Sequence, residues 1–264
     1  GTDQLIGSAP APRMDDETLE AFIRTYIQDS LNGAVKVVQF TWHGGEPTLA
    51  GLDFYKKAVE LQKKYLPQCW NNLQTNGVLL DETWCDFLAQ EHFDVGLSLD
   101  GTAALHDRYR LDTGGQGTYD RVRSAARRLL ERGVRPDLLC TVTADAARDP
   151  LGVYRALREL DTGWMQFIPI VRWGADGRPT VDSVSPEGYG DFLCAIFDEW
   201  IYHDVGRVGV QLFEEVAHVM QGGAPTLCWM AQTCGRVVVV EREGDVYSCD
   251  HCVDPAHRLG NLKT

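Results

Sequence analysis

Two kinds of apolar periodicity take turns along residues 15–171, and that alternation restricts the possible folds more than any other feature. Runs rich in Val, Ile, Leu and aromatic residues at 35–43, ending at 73–77, and at 93–100, 138–143 and 165–171 read as strands. Between them lie stretches with apolar residues at helical spacing, at 53–65, 81–91, 119–132 and 150–160. An earlier helix is capped by Asp15 or Asp16 and carries Leu19, Phe22, Ile23, Tyr26 and Ile27 on one face. Each helix returns the chain for another strand in the same direction. Five strands alternating with helices therefore imply an α/β fold with a parallel sheet and right-handed crossovers, spaced as in a (β/α) barrel or part of one. Ligand chemistry in such a sheet belongs at the C-terminal strand ends, where His43-Gly44-Gly45-Glu46, Gln74-Thr75-Asn76, Ser98 to Asp100 and Val171 fall.

The first of these ends carries the most chemistry. Val35, Val37, Val38, Phe40 and Trp42 lead directly into His43, and Gly44-Gly45 allows backbone to approach a ligand where a Cβ would clash. Glu46 adds a carboxylate suited to an ammonium group. The same four residues also describe a tight turn with an acid at a helix N-terminus, and both readings stay open here.

With 264 residues, 44% hydrophobic and 24% charged, the chain can bury a large core. A net charge of −13 and a pI near 4.9, with no basic block, disfavour nucleic acid as a partner. No apolar run reaches the roughly 18 residues of a membrane span, and no signal-peptide pattern opens the sequence, so a cytoplasmic protein is expected. Four of the eight cysteines, Cys69, Cys85, Cys140 and Cys194, are scattered as buried free thiols would be. Cys228, Cys234, Cys249 and Cys252 instead crowd into 25 residues.

Further along, 101–118 is a polar, Gly-rich loop and 172–185 another. Helices are expected at 187–203 and 211–221, and a small second domain from about residue 222. Its β run at 236–241 turns through Glu243-Gly244-Asp245 into 246–249 as a hairpin.

Six motifs, in order, resemble those of anaerobic sulfatase-maturating enzymes, radical SAM proteins with a SPASM-type iron–sulfur domain. They are His-Gly-Gly-Glu-Pro-Thr-Leu-Ala-Gly (43–51), Leu-Gln-Thr-Asn-Gly (73–77), Gly-Leu-Ser-Leu-Asp-Gly (96–101), His-Asp-x-x-Arg (106–110), Gln-Phe-Ile-Pro (166–169) and Gly-Asp-Val-Tyr-Ser-Cys-Asp-His (244–251). The resemblance implies a partial (β/α) barrel of radical SAM type over 1–221, lacking its first strand, followed by a truncated SPASM-type domain over 222–264. It implies reductive cleavage of S-adenosylmethionine (AdoMet) to a 5′-deoxyadenosyl radical, which oxidises a Ser or Cys of an unfolded sulfatase to Cα-formylglycine. Flavodoxin or ferredoxin would supply the electron.

By the same resemblance, Gly45 backbone and the Glu46 carboxylate meet the methionine ammonium and Arg110 its carboxylate, while Ser98 reaches the ribose and Val171 lies against adenine. Arg suits a carboxylate fork. The alternative for Arg110 is a surface ion pair with Asp107 or Asp112. Cys228-x5-Cys234-x14-Cys249 resembles three ligands of the first auxiliary [4Fe–4S] cluster, and Asp250 the carboxylate that takes the substrate proton.

The sequence departs from that family in lacking the Cys-x3-Cys-x2-Cys run that holds the radical SAM cluster, and the remaining auxiliary ligands. A chain truncated at both ends is expected, inactive as it stands, with 1–13 poorly packed. Cys252 replaces a usual aromatic, as a spare thiol or a stand-in ligand, and His43 faces the peptide pocket. Competing readings are another SPASM-type peptide maturase, or a non-catalytic zinc module built on Cys228, Cys234, Cys249 and Cys252.

Overall fold

A computed structural model describes residues 13–33, 35–233 and 237–264, and its packing divides into two compact units. One comprises the chain up to Asn71 together with Pro225–Thr264, the other Asn72–Ala224.

In the first unit, helix α1 (Asp16–Asn32) starts where the Asp15 carboxylate accepts the Thr18 N–H at 2.7 Å. Leu19, Ile23 and Ile27, four apart, are buried on one stripe. The neighbouring Phe22 and Tyr26 rings meet Phe40 edge-on, at 5.6 and 5.0 Å between centroids. Phe40 lies in strand β1 (Gln39–Trp42), which is shorter than the expected 35–43. Val35 and Val37 are half exposed, and the link to the next strand begins only where Trp70 N–H donates to Val38 O at 2.9 Å. A 3-10 turn (Pro47–Ala50) and helix α2 (Leu52–Tyr65) follow, with Phe54 and Tyr55 edge-on to Trp42. The expectation for 1–13 falls outside the described residues except at Arg13, whose guanidinium donates to Ala50 O.

The later part of this unit forms a small antiparallel sheet, β7 (Val239–Val240), β8 (Asp245–Tyr247) and β9 (Arg258–Asn261). Gly244 turns the expected hairpin at φ +87°, its N–H on Glu241 O. The third strand is not foreseeable from Arg258-Leu-Gly-Asn, whose apolar content is a single Leu. It is held by the Arg258 and Asn261 side chains, both 2.7 Å from Asp245. Lys263, just beyond it, pairs with Asp15 at 3.1 Å.

Strand β2 (Trp70–Thr75) begins in the first unit and ends in the second. The strands run β1-β2-β3-β4-β5-β6 in sequence order, with β3 (Asp94–Ser98), β4 (Asp137–Val142), β5 (Trp164–Pro169) and β6 (Gly209–Val210), and every pairing from β2 to β6 is parallel. Helices α3 (Glu82–Gln90), α5 (Tyr119–Glu131) and α6 (Pro150–Arg158) bridge successive strands, α5 burying Val122, Ala125, Ala126 and Leu129. Helices α7 (Pro186–His203) and α8 (Gln211–Met220) close the series.

Two expectations need correction. The loop 101–118 contains a seven-residue helix, α4 (Ala103–Tyr109), which buries only His106 and so leaves no apolar periodicity to read. The five expected strands are joined by a sixth, the two-residue β6, too short for a pattern and paired with Trp164 and Met165. Among the scattered thiols, Cys85 and Cys140 are buried as expected, but Cys69 is half-buried and Cys194 exposed.

Candidate active site

The second unit concentrates its polar chemistry where β3 ends. Ser98 is half-buried and Asp100 buried. Gly101 then turns the chain at φ +69°, a left-handed conformation, with Val153 so close that a Cβ would sit 3.0 Å from its methyls. That turn launches α4 back along the strand end. His106 and Arg110, four residues apart, thereby both return to Asp100.

The contacts form one connected set. Arg110 Nε donates to Asp100 Oδ2 at 2.5 Å and its Nη2 to Oδ1 at 3.1 Å, a two-point fork. Nη2 also donates to Thr141 Oγ1 at 3.0 Å, and the Thr141 N–H to Asp100 Oδ1 at 2.8 Å. Behind the pair, Asp100 N–H donates to His106 Nδ1 at 3.2 Å. Nδ1 must then be unprotonated, so Nε2 carries the proton and donates to Thr118 Oγ1 at 3.0 Å, whose hydroxyl donates to Arg110 O at 2.8 Å. Burial pushes His106 down to about 4; Asp100 opposes the shift and Arg110 adds to it, and the neutral tautomer agrees with the bonding pattern.

Arg110 is thus an ion-pair partner, but of Asp100 rather than of Asp107 or Asp112. Asp107 instead accepts the Tyr119 N–H at 2.8 Å, and Asp112 takes Arg121 at 2.7 Å. Val171, two residues beyond β5, is 51% exposed.

In the first unit, Gly45 and His43 are exposed and Gly44 adopts φ +107°. Glu46 Oε1 accepts both the Thr48 N–H at 3.0 Å and its hydroxyl at 2.5 Å, capping the 3-10 turn. The carboxylate therefore already serves as the acid at the start of a turn. The turn is fixed from below by Tyr55, whose buried hydroxyl donates to Pro47 O at 2.9 Å. Trp42 is held by its Nε1 on Asn71 Oδ1 at 2.9 Å, within a reciprocal amide pair of Asn71 and Gln62.

Of the candidate thiol ligands, Cys228 is exposed, Cys249 and Cys252 half-buried, and Cys234 outside the described residues. Cys249 Sγ accepts the His251 N–H at 3.4 Å; that bond lowers the thiol pKa, but desolvation and the Asp250 carboxylate raise it overall. Ligand atoms of Cys249, Asp250 and His251 all lie within 4.8 Å of one another. Asp250 is exposed; desolvation raises its carboxyl, but Cys249 and His251 hold it below the usual range overall, which keeps it ionised.

These donors suit the groups that the motifs imply. Arg110 Nη1 has no hydrogen-bond partner among the described residues, leaving cationic N–H groups for a carboxylate, and Gly44-Gly45 offers open backbone. Soft sulfur at Cys228 and Cys249, with an N–H donor on the latter, suits an iron–sulfur cluster. Sequence reasoning placed Asp100 at a strand end and His106 in a motif but gave neither a role, and it missed Thr118 and Thr141 as members of the site. Nothing local in the sequence marks Thr118 or Thr141 as partners of Arg110.

The Radical SAM superfamily model matches residues 8–145. A Serine-type anaerobic sulfatase-maturating enzyme of Bacteroides thetaiotaomicron is 40% identical over 98% of this chain and 66% of its own length. A Cysteine-type enzyme of Clostridium perfringens is 37% identical over 95% of this chain and 68% of its own. The solved structure of native anSMEcpe with bound AdoMet and Kp18Cys peptide superposes with a TM-score of 0.86 at 36% identity, covering 95% of this chain and 70% of that one. The chain thus spans about two thirds of the length of the curated relatives it matches. Among the described residues, no helix is long and apolar enough to cross a membrane.

Proposed function

Because this chain belongs to the anaerobic sulfatase-maturating enzymes of the radical SAM superfamily, we propose that the protein oxidises a Ser or Cys side chain of a sulfatase polypeptide to Cα-formylglycine with AdoMet. The observation that carries the reading is similarity to both Serine-type and Cysteine-type maturases along nearly the whole chain. We take 1–221 as the radical SAM part and 222–264 as the start of a SPASM-type domain. A flavodoxin or ferredoxin would deliver electrons in the cytoplasm.

In this reading each residue has a role drawn from its own chemistry. Arg110 takes the methionine carboxylate through Nη1, the donor its ion pair leaves over. Gly45 backbone and Glu46 take the ammonium, Glu46 keeping its hold on Thr48. Ser98 offers a compact hydroxyl at the β3 end for the ribose, and Val171 an apolar surface for adenine. When bound, AdoMet supplies a one-electron hydrogen acceptor for the substrate Cβ. Cys228, Cys234 and Cys249 would hold a [4Fe–4S] cluster that accepts the second electron. Asp250 takes the hydroxyl or thiol proton, so the loss of a hydrogen atom, a proton and an electron balances the two-electron oxidation to the aldehyde or thioaldehyde level; water then exchanges sulfur for oxygen in the Cys case.

The test uses full-length protein, anaerobically reconstituted, with Ser- and Cys-containing sulfatase peptides. Formylglycine should form on at least one peptide, and Asp250→Asn should lower its yield at least about tenfold while 5′-deoxyadenosine formation persists. AdoMet cleavage with no formylglycine from either peptide would favour a different peptide maturase. Full yield from Asp250→Asn would move the base to another group such as His43 or His251.

A further inference from the structure

Arg110 does not stand alone at the β3 end. One edge of its guanidinium is taken by Asp100, which Thr141 N–H anchors in turn, and the second proton of Nη2 goes to Thr141 Oγ1. Its backbone carbonyl is tied through Thr118 and His106 to the backbone N–H of the same Asp100. Both ends of the ion pair, side chain and main chain, are therefore closed into one ring of hydrogen bonds. Asp100 is 7% exposed, Thr118 4% and His106 0%. The ring draws on the turn after β3, on α4 and its C-terminal end, on the segment before α5, and on β4, four separate places in the chain.

We propose that Asp100, His106, Thr118 and Thr141 are positioning residues that lock the Arg110 guanidinium so that Nη1 alone remains for the carboxylate of an α-amino-acid ligand. The inference rests on the reading of Arg110 as the carboxylate contact. Two physical consequences follow. A free guanidinium would offer a carboxylate its two-point edge in several orientations; with Nε and Nη2 occupied, the ligand is restricted to one approach. And because Asp100 neutralises Arg110, the pair attracts a simple anion weakly, so binding requires a zwitterion whose ammonium finds its own partner elsewhere. A free carboxylic acid lacking the ammonium should be a poor ligand. The neutral state of His106 supports the arrangement, since an imidazolium would set an N–H against the Asp100 N–H.

The ring predicts selectivity for the carboxylate, which separates it from a merely structural role. In the reconstituted full-length protein, equilibrium binding is measured for AdoMet and for decarboxylated AdoMet, which lacks only that group. Arg110→Ala should lower the preference for AdoMet at least about tenfold. Thr141→Val, which loosens the guanidinium without changing the charge around it, should lower it at least about threefold, with decarboxylated AdoMet affinity unchanged. His106→Asn, whose amide oxygen can still accept the Asp100 N–H, should retain more preference than His106→Ala. Equal weakening of both ligands in Thr141→Val, or an undiminished preference, would overturn the positioning role while leaving Arg110 as the contact. An undiminished preference in Arg110→Ala would overturn the Arg110 assignment and the inference with it.

Discussion

Removing the titrating group at His106 should change how stability depends on pH, by an amount the site itself sets. The imidazole is fully buried; desolvation lowers its pKa from 6.5 to about 4, with Asp100 opposing the shift and Arg110 and Asp107 contributing in opposite senses. The edge of the Tyr119 ring also lies against it, 5.7 Å between centroids. A depressed histidine pKa means that the unfolded chain binds the proton first. Its cost to stability is therefore absent well above pH 6.5, grows as pH falls towards 4 at about 1.4 kcal/mol per unit, and then levels off. Between pH 7 and pH 4.5 the native protein should lose about 2 kcal/mol through this residue.

Other groups titrate in the same range, which is why the variant is needed. Asp137, at the solvent-exposed start of β4, is pushed up to about 6 by desolvation and the charge of Asp94, and works in the opposite direction, strengthening the fold as pH falls through that value. Solvent screening makes that opposing contribution modest. Subtracting the pH curve of His106→Gln from that of the native protein cancels it. Urea unfolding followed by tryptophan fluorescence at pH 7, 6, 5 and 4.5 supplies both curves. The variant should be the less stable at pH 7, through lost hydrogen bonds, and its deficit should shrink by about 2 kcal/mol by pH 4.5. A deficit constant to within about 0.5 kcal/mol would show that His106 titrates alike in the folded and unfolded chains, and the argument from burial would fail.

Two further perturbations probe what holds the second unit together. Asp204, 2% exposed, accepts the Tyr154 hydroxyl at 2.7 Å and Arg158 at 2.8 Å. Asp204→Ala should therefore cost about 3–5 kcal/mol in urea unfolding, and Tyr154→Phe in the same background should add little; simple additivity would mean the two act independently. Gly101→Ala forces a side chain into φ +69° and against Val153, and should cost about 1–3 kcal/mol; an unchanged urea midpoint would remove Gly101 as the reason the chain can turn there.

The alternation of strand and helix was readable because side-chain periodicity is local: Leu19, Ile23 and Ile27 must share a helical face wherever that helix docks, and all three are buried. The same holds for the Asp15 cap and the Gly244 hairpin turn, each settled within a few residues. Strand ends were legible as sites because a parallel sheet exposes backbone and short polar side chains there. The start of β1 was misread because Val35 and Val37 have the composition of a strand without the partner that begins at Val38. Helix α4 escaped notice because its one buried residue is a histidine, whose burial is tolerable only with both ring nitrogens satisfied. Those partners come from residues 6 and 12 positions away, and the Asp100 carboxylate meets Thr141 only because β4 lies beside β3, 41 residues on. Sequence could name Arg110 as a cation in a motif. Which acid it pairs with depended on the Gly101 turn that brings Arg110 back to Asp100, and which of its N–H groups is left over depended also on Thr141, distant in the chain and adjacent in the sheet.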